Sequence, residues 1–260
     1  MNFGSLTGPE LPVMLATGYS DYVKFGVLGL VGLVVFLVLA FLVFMVIVCL
    51  VEKQYLVGDV EPASEPFPYP PSSYWKITRE NARRLGLQPA GDFATRKNTS
   101  LVKGLQSLFV DQNRTIIVSV VSGATAGAQL KKTVLRTQLA SGRILESSDE
   151  SGLEDLSGLV QREVLLNAGV EELLEFHQRR VRAAASPVLP FNADAMREFD
   201  RMDLDRGTRW VLLGLAYWVN PEKTIIRMTV RGTAAHLKSL FRQMGKLGAQ
   251  QDRTDIRRAG

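Results

Sequence analysis

Two histidines, one cysteine and a few short polar clusters are the residues of this chain that could do chemistry. His177 and His236 stand far apart in sequence, and neither has a partner at metal-ligand spacing. His177 falls on the apolar face of a helical stretch, where a histidine serves the core. Cys49 is the sole cysteine and sits in an apolar run, so the rest of the chain has no disulfide, thiolate zinc site or thiol nucleophile. The loop Gly123-Ala-Thr-Ala-Gly127 is rich in small residues but lacks the Lys-Ser/Thr ending that cradles phosphate. No Gly-x-Ser-x-Gly elbow is present. Asp149, Glu150, Glu154 and Asp155 offer oxygen ligands, but their spacing fits no calcium loop and reads as a solvated acidic loop. Two glycosylation-type triplets, Asn98-Thr-Ser100 and Asn113-Arg-Thr115, are short enough to arise by chance. These residues assign no catalytic, cofactor-binding or metal-binding group, and the chain leans away from enzymes.

The cations of the last segment form a second set. Arg227 lies in the alternating strand pattern Thr224–Val230 and Arg231 follows it, and Lys238, Arg242 and Lys246 recur along a helix from about Thr233 to Lys246, with Leu237, Leu240, Phe241 and Met244 expected inward. Such residues can meet phosphate, either of nucleic acid or of lipid headgroups.

The element that positions everything else is Val27 to Val51, a run with no charged residue and no proline. At about 1.5 Å per residue, its length exceeds the roughly 30 Å hydrocarbon core of a bilayer. It is longer than a signal-peptide core, and Ile47-Val-Cys-Leu-Val-Glu-Lys53 offers no small-x-small cleavage site. Gly26, Gly29 and Gly32 follow a three-residue spacing, not that of the familiar dimer motif, and reflect the frequency of glycine in membrane helices.

The organisation that follows is a flexible tail over 1–22, a transmembrane helix over 23–52 and a proline-rich extended stalk over 53–73. An α+β domain fills 74–185, a helical and hairpin part over 186–248 packs on it, and a basic tail spans 249–260. The net charge is +5, and residues 1–57 hold Lys24 and Lys53 against Glu10, Asp21 and Glu52, so the positive excess lies in the domain. One lysine flanks each end of the span, a near tie for orientation. The basic domain tips the reading towards the cytoplasm.

Within the domain, Ser72 or Ser73 caps a helix from Tyr74 to Leu85 that Gly86 ends. The period then changes to two. Leu105–Val110 and Thr115–Val121 read as one hairpin, Thr133–Leu139 and Arg143–Ser147 as another, and Asp92–Arg96 as an edge strand. The expectation is an antiparallel sheet of about four or five strands packed by helices. A short strand precedes a helix capped by Asn167, and a second helix starts near Asn192. Trp210–Val219 is apolar core whose periodicity does not separate helix from strand.

Two resemblances follow from these residues. Gly214–Gly232, with its Asn220-Pro-Glu-Lys turn, resembles the wing of winged-helix DNA-binding proteins, though Leu204-Asp-Arg-Gly207 interrupts the helix pair such a fold needs. The apolar anchor, Ala82-Arg-Arg-Leu-Gly-Leu with Gly91-Asp-Phe93, the Asp111 hairpin, and Asp155-Leu-Ser-Gly-Leu159 followed by Leu165-Leu-Asn167 are similar to uncharacterised single-pass membrane proteins of planctomycete-like bacteria. That resemblance implies no site residue. The expected function is a membrane-tethered, non-enzymatic binding or scaffolding domain, held in the bilayer through 23–52, with a protein partner. A winged-helix nucleic-acid regulator and a peripheral lipid-contacting domain are the alternatives.

Overall fold

The computed structural model describes residues 14–51, 53–57, 60–96, 103–125, 128–150, 155–191, 194–239 and 241–242. It divides into two units, residues 1–48 and 49–260. The first is dominated by α1 (Met14–Val51). Helical backbone therefore starts inside the stretch expected to be a flexible tail. Its Val27–Val48 portion is a 22-residue apolar helix, long enough to cross a membrane, and none of it is buried. Among the described residues, nothing lies within 4 Å of where a side chain on Gly29 or Gly32 would start.

The second unit is built on a seven-stranded sheet, two strands or more larger than expected. Its order is β2 (Val60–Pro62), β3 (Gln88–Thr95), β4 (Lys103–Val110), β5 (Ile117–Thr125), β6 (Ala128–Gln138), β7 (Ile144–Ser148) and β8 (Val160–Val164). Neighbours are antiparallel except β7 and β8, which run parallel. Both expected hairpins form, as β4–β5 and β6–β7. The Asp92 strand is an interior strand, because β2 supplies the edge beyond it. β2 comes from the segment expected to be a free stalk. Ala63 N–H donates to the Asp92 carbonyl, Phe67 stacks edge-on against Trp75, and Tyr69 Oη donates to the Thr95 carbonyl. The aromatics between the prolines thus bind this segment to the domain.

Helices cover both faces of the sheet. On one side, α2 (Ser73–Arg84) and α3 (Val170–Ala183) set Trp75, Ala82, Leu173 and Leu174 against Leu105, Phe109, Val118 and Leu135. On the other, α4 (Ala195–Leu212) lays Ala195 and Met202 on Leu108, Val110, Ile117 and Ile144. Burial on both faces explains why β4, β5 and β7 are nearly continuous apolar or small residues. Ser72 caps α2 by accepting from Trp75 N–H, and Gly86 follows it at φ +77°, the left-handed conformation that ends a helix without side-chain strain. The expected Asn167 cap is replaced. Gly169 occupies the N-cap of α3, and Asn167 instead takes a positive φ in the preceding turn.

A separate three-stranded antiparallel sheet orders β1 (Gln54–Tyr55), β10 (Ile225–Met228) and β9 (Ala216–Trp218). Trp210–Val219 is helix at its start and strand at its end, with the break at Gly214, φ +70°. Leu56, Trp210, Leu215, Ile226 and Met228 form its core. Helical backbone resumes over 230–239 and at 241–242.

Candidate functional site

Ionisable side chains inside the seven-stranded sheet are concentrated on β6, β7 and β8. Strand alternation sends Arg136, Glu146 and Arg162 to the α4 face, where Cα pairing sets Arg136 beside Glu146 and Glu146 beside Arg162. Glu146 accepts from Arg136 Nε at 2.9 Å and from Arg162 Nε. Arg136 Nη1 lies 3.1 Å from Asp203 Oδ1 of α4, which Arg206 also reaches at 3.0 Å. Phe199 lies under the Arg136 guanidinium at 4.1 Å. Burial pushes the Glu146 carboxyl up, but Arg136, Arg162 and Arg206 outweigh it and hold its pKa at about 2. For Arg136, burial opposes the charge while Asp203 and Glu146 more than restore it, so its pKa is raised. Glu146 is 1% exposed and always ionised near neutrality, so it is no general acid or base. The network locks α4 and edge strand β8 to the sheet.

On the opposite face, hydrogen bonds run in one direction through the core. Arg180 Nη1 donates to Ser147 Oγ at 2.8 Å, and Ser147 Oγ lies 2.8 Å from His177 Nδ1. His177 Nε2 lies 2.9 Å from Thr137 Oγ1, whose own proton goes to the Thr115 carbonyl. Because the Thr137 proton is committed, His177 Nε2 must donate and Nδ1 must accept from Ser147. This resembles a serine paired with a base, but Ser147, His177 and Thr137 are all 0% exposed. No substrate reaches the hydroxyl, and Nε2 faces a threonine where a triad has a carboxylate. Burial, then Arg180, holds the imidazole pKa down at about 3, so it is neutral. His177 is the satisfied core histidine that its helical position predicts.

The acidic loop is used locally. Asp149 accepts from Tyr74 Oη at 2.7 Å and from Thr133 N–H at 2.7 Å, so Thr133 Oγ1 donates to Tyr74 at 2.6 Å. Burial, reinforced by Asp149, raises the tyrosine pKa. Asp155 accepts from Ser157 Oγ and Val160 N–H, and Glu154 lies outside the described residues. Among the described residues, no three His, Cys, Asp or Glu side chains are placed to hold a metal.

The cations singled out from sequence divide. Arg227 is half-buried on β10 opposite Tyr217, with Nε buried and without a hydrogen-bond partner among the described residues. Arg231, Lys238 and Arg242 are exposed along one side of the C-terminal helical stretch; Lys246 lies outside the described residues. Phe241, expected inward, is 53% exposed and lies on that same side with Val230. Leu237 is half-buried, while Leu240 and Met244 lie outside the described residues. Inward positions are taken by Gly232, Thr233 and Ser239, small residues that let the helix approach closely. Sequence reasoning missed Leu212 and Val230, at 73% and 72% exposure, because one lies inside an apolar run and the other ends a strand pattern. The hairpin β9–β10 follows α4, which continues unbroken through Leu204–Gly207, so a single helix stands where a winged helix needs a pair.

No family model, curated protein or solved structure matches the chain.

Proposed function

We propose that this chain is a single-pass membrane protein whose α1 spans the bilayer and whose domain binds a protein partner at the membrane surface on the cytoplasmic side, without chemistry of its own. The observation that carries the reading is α1, whose 22-residue apolar portion has no buried residue among those described. In water that surface would be strongly unfavourable, at about 25 cal/mol per Å². In a bilayer it is matched to its solvent. The buried charge networks support the second half of the proposal. They satisfy one another across the sheet and join its helices, as a scaffold requires. The basic excess of the domain favours the cytoplasmic side.

Two readouts test this in cells expressing the full chain. Alkaline carbonate should leave the protein in the membrane pellet. External protease should leave the domain intact until the cells are lysed. Release by carbonate would remove the membrane span, and digestion in intact cells would reverse the orientation.

A further inference from the structure

Resting on α1 inserting in the membrane, we propose that the exposed side of the C-terminal helix, with the adjoining end of α4, is a second membrane contact that lies on an anionic lipid surface. Chain direction is the first argument. The last helical residues, Cys49–Val51, belong to the same unit as the domain. Gln54 pairs with Ile226 and Tyr55 with Ile225, antiparallel. Followed back from Gln54 towards Val51, the chain therefore heads for the end of β10 at which Met228, Thr229 and Val230 lie. Three residues of extended chain reach about 10 Å at most. At that end Thr229 donates its N–H to the Leu215 carbonyl at 2.9 Å and its hydroxyl to the Gly214 carbonyl at 2.8 Å. The C-terminus of α4 and the start of the last helix thus meet at the end of this sheet from which the chain runs back towards Val51. The Asn220–Lys223 turn marks the far end of the sheet.

The second argument is the chemistry of that surface. Leu212, Val230 and Phe241 are all more than half exposed. Positions 230, 234, 238 and 241 follow one side of a helix, and all four are exposed. Arg231, Lys238 and Arg242 border the apolar positions, Arg209 stands one turn before Leu212, and stretches 209–216 and 228–242 contain no acidic residue. An apolar strip edged by cations is the pattern of a helix lying about 5–10 Å deep in a headgroup layer. Each cation near an anionic surface adds an attraction that salt screens. A nucleic acid would use the cations but leave the leucine, valine and phenylalanine in water.

The test uses the full chain in nanodiscs, with Cys49→Ser providing a cysteine-free background. Single Val230→Cys, Leu166→Cys and Val38→Cys variants carry a fluorophore, and the lipid carries a shallow nitroxide quencher for Val230 and Leu166 or a deep acyl-chain nitroxide for Val38. Leu166 is exposed on the β8–α3 connection and serves as the domain control, and Val38 reports the span. In discs containing phosphatidylglycerol, the Val230 label should be quenched several-fold more than the Leu166 label. Phosphatidylcholine discs, high salt, or Arg231→Glu with Lys238→Glu and Arg242→Glu should remove the difference. Equal quenching at Val230 and Leu166 with strong quenching at Val38 would overturn this contact and leave the span standing. Shielding of Val230 from aqueous iodide without lipid quenching would assign the surface to a protein, such as a second copy, and overturn it too. Absence of quenching at Val38 would remove the span itself, and this contact with it.

Discussion

Glu146 and His177 sit two elements apart and respond to acid for opposite reasons. Removing the Glu146 charge takes from Arg136 and Arg162 the carboxylate they share in a dry site and leaves Arg136 to Asp203. Breaking such a network costs about 3–5 kcal/mol, so Glu146→Gln should lower the denaturant midpoint sharply without changing the slope. For His177, the folded pKa of about 3 lies below the ordinary 6.5. Between those values the unfolded chain binds more protons, so its contribution is complete above 6.5 and falls as pH drops towards 3. At pH 5 the loss is about 2 kcal/mol. Glu146, held near 2 against an ordinary 4.5, keeps its contribution down to about pH 4.5 and loses it below. Unfolding measured between pH 5 and 6.5 should therefore show a slope in the wild type that His177→Gln weakens and Glu146→Gln retains. His236, whose pKa burial also lowers, adds to that slope, while Asp200, whose carboxyl burial raises to about 6, opposes it below that pH.

At the scale of elements, two contacts with main-chain atoms constrain the C-terminal part. A side chain on Gly232 would overlap the Leu215 carbonyl, a backbone group that cannot swing away. Gly232→Ala should cost about 1–3 kcal/mol and speed hydrogen exchange at the Thr229 amide, which donates to that carbonyl. Gly214→Ala meets only Arg231 Nη1, at an ordinary contact distance of 3.8 Å, and carries the left-handed backbone cost of about 1 kcal/mol. Much of this architecture is legible in the residues. Period-two runs give β4 to β7, Ser72 and Gly86 bracket α2, and the alternation in Ile225–Met228 gives β10. The strands that were not legible are edges. β2 carries a proline and is held by pairing with β3, while β8, expected from Glu163 to Leu166, lies at Val160–Val164 because its polar start, Val-Gln-Arg, faces solvent on one side. β1 has two residues and exists through β10 alone. The charge network was invisible for a related reason. Arg136, Glu146 and Arg162 become neighbours through strand pairing, and Asp203 through the packing of α4. The outward side of the last helix was misread because Phe241 looks apolar, while the inward side uses glycine, threonine and serine.

For the molecule as a whole, Leu56 joins the stretch leaving α1 to the rest of the domain. It is 7% exposed among Trp210, Leu215 and Ile226, its terminal methyl fills the space a side chain on Gly207 would need, and its N–H donates to the Thr224 carbonyl at 2.9 Å. Leu56→Ala should cost about 2–4 kcal/mol, the sum of lost transfer energy and a residual cavity. The loss should appear first as faster exchange at the Leu56 and Leu215 amides, ahead of those in β5 and β6.

The pairing of Gln54–Tyr55 with Ile225–Ile226 also sets an order of events during synthesis. The first strand leaves the ribosome right behind α1, while its partner is made nearly a whole domain later. The three-stranded sheet therefore closes after the seven-stranded sheet has its residues, because loop closure over that span must precede any gain from the pair. Until then Tyr55 and Leu56 wait with an open strand edge. A ribosome stalled before Ile225 would leave an intermediate with that edge free, and a pull on α1 of the finished protein would load this short pair before any strand of the larger sheet.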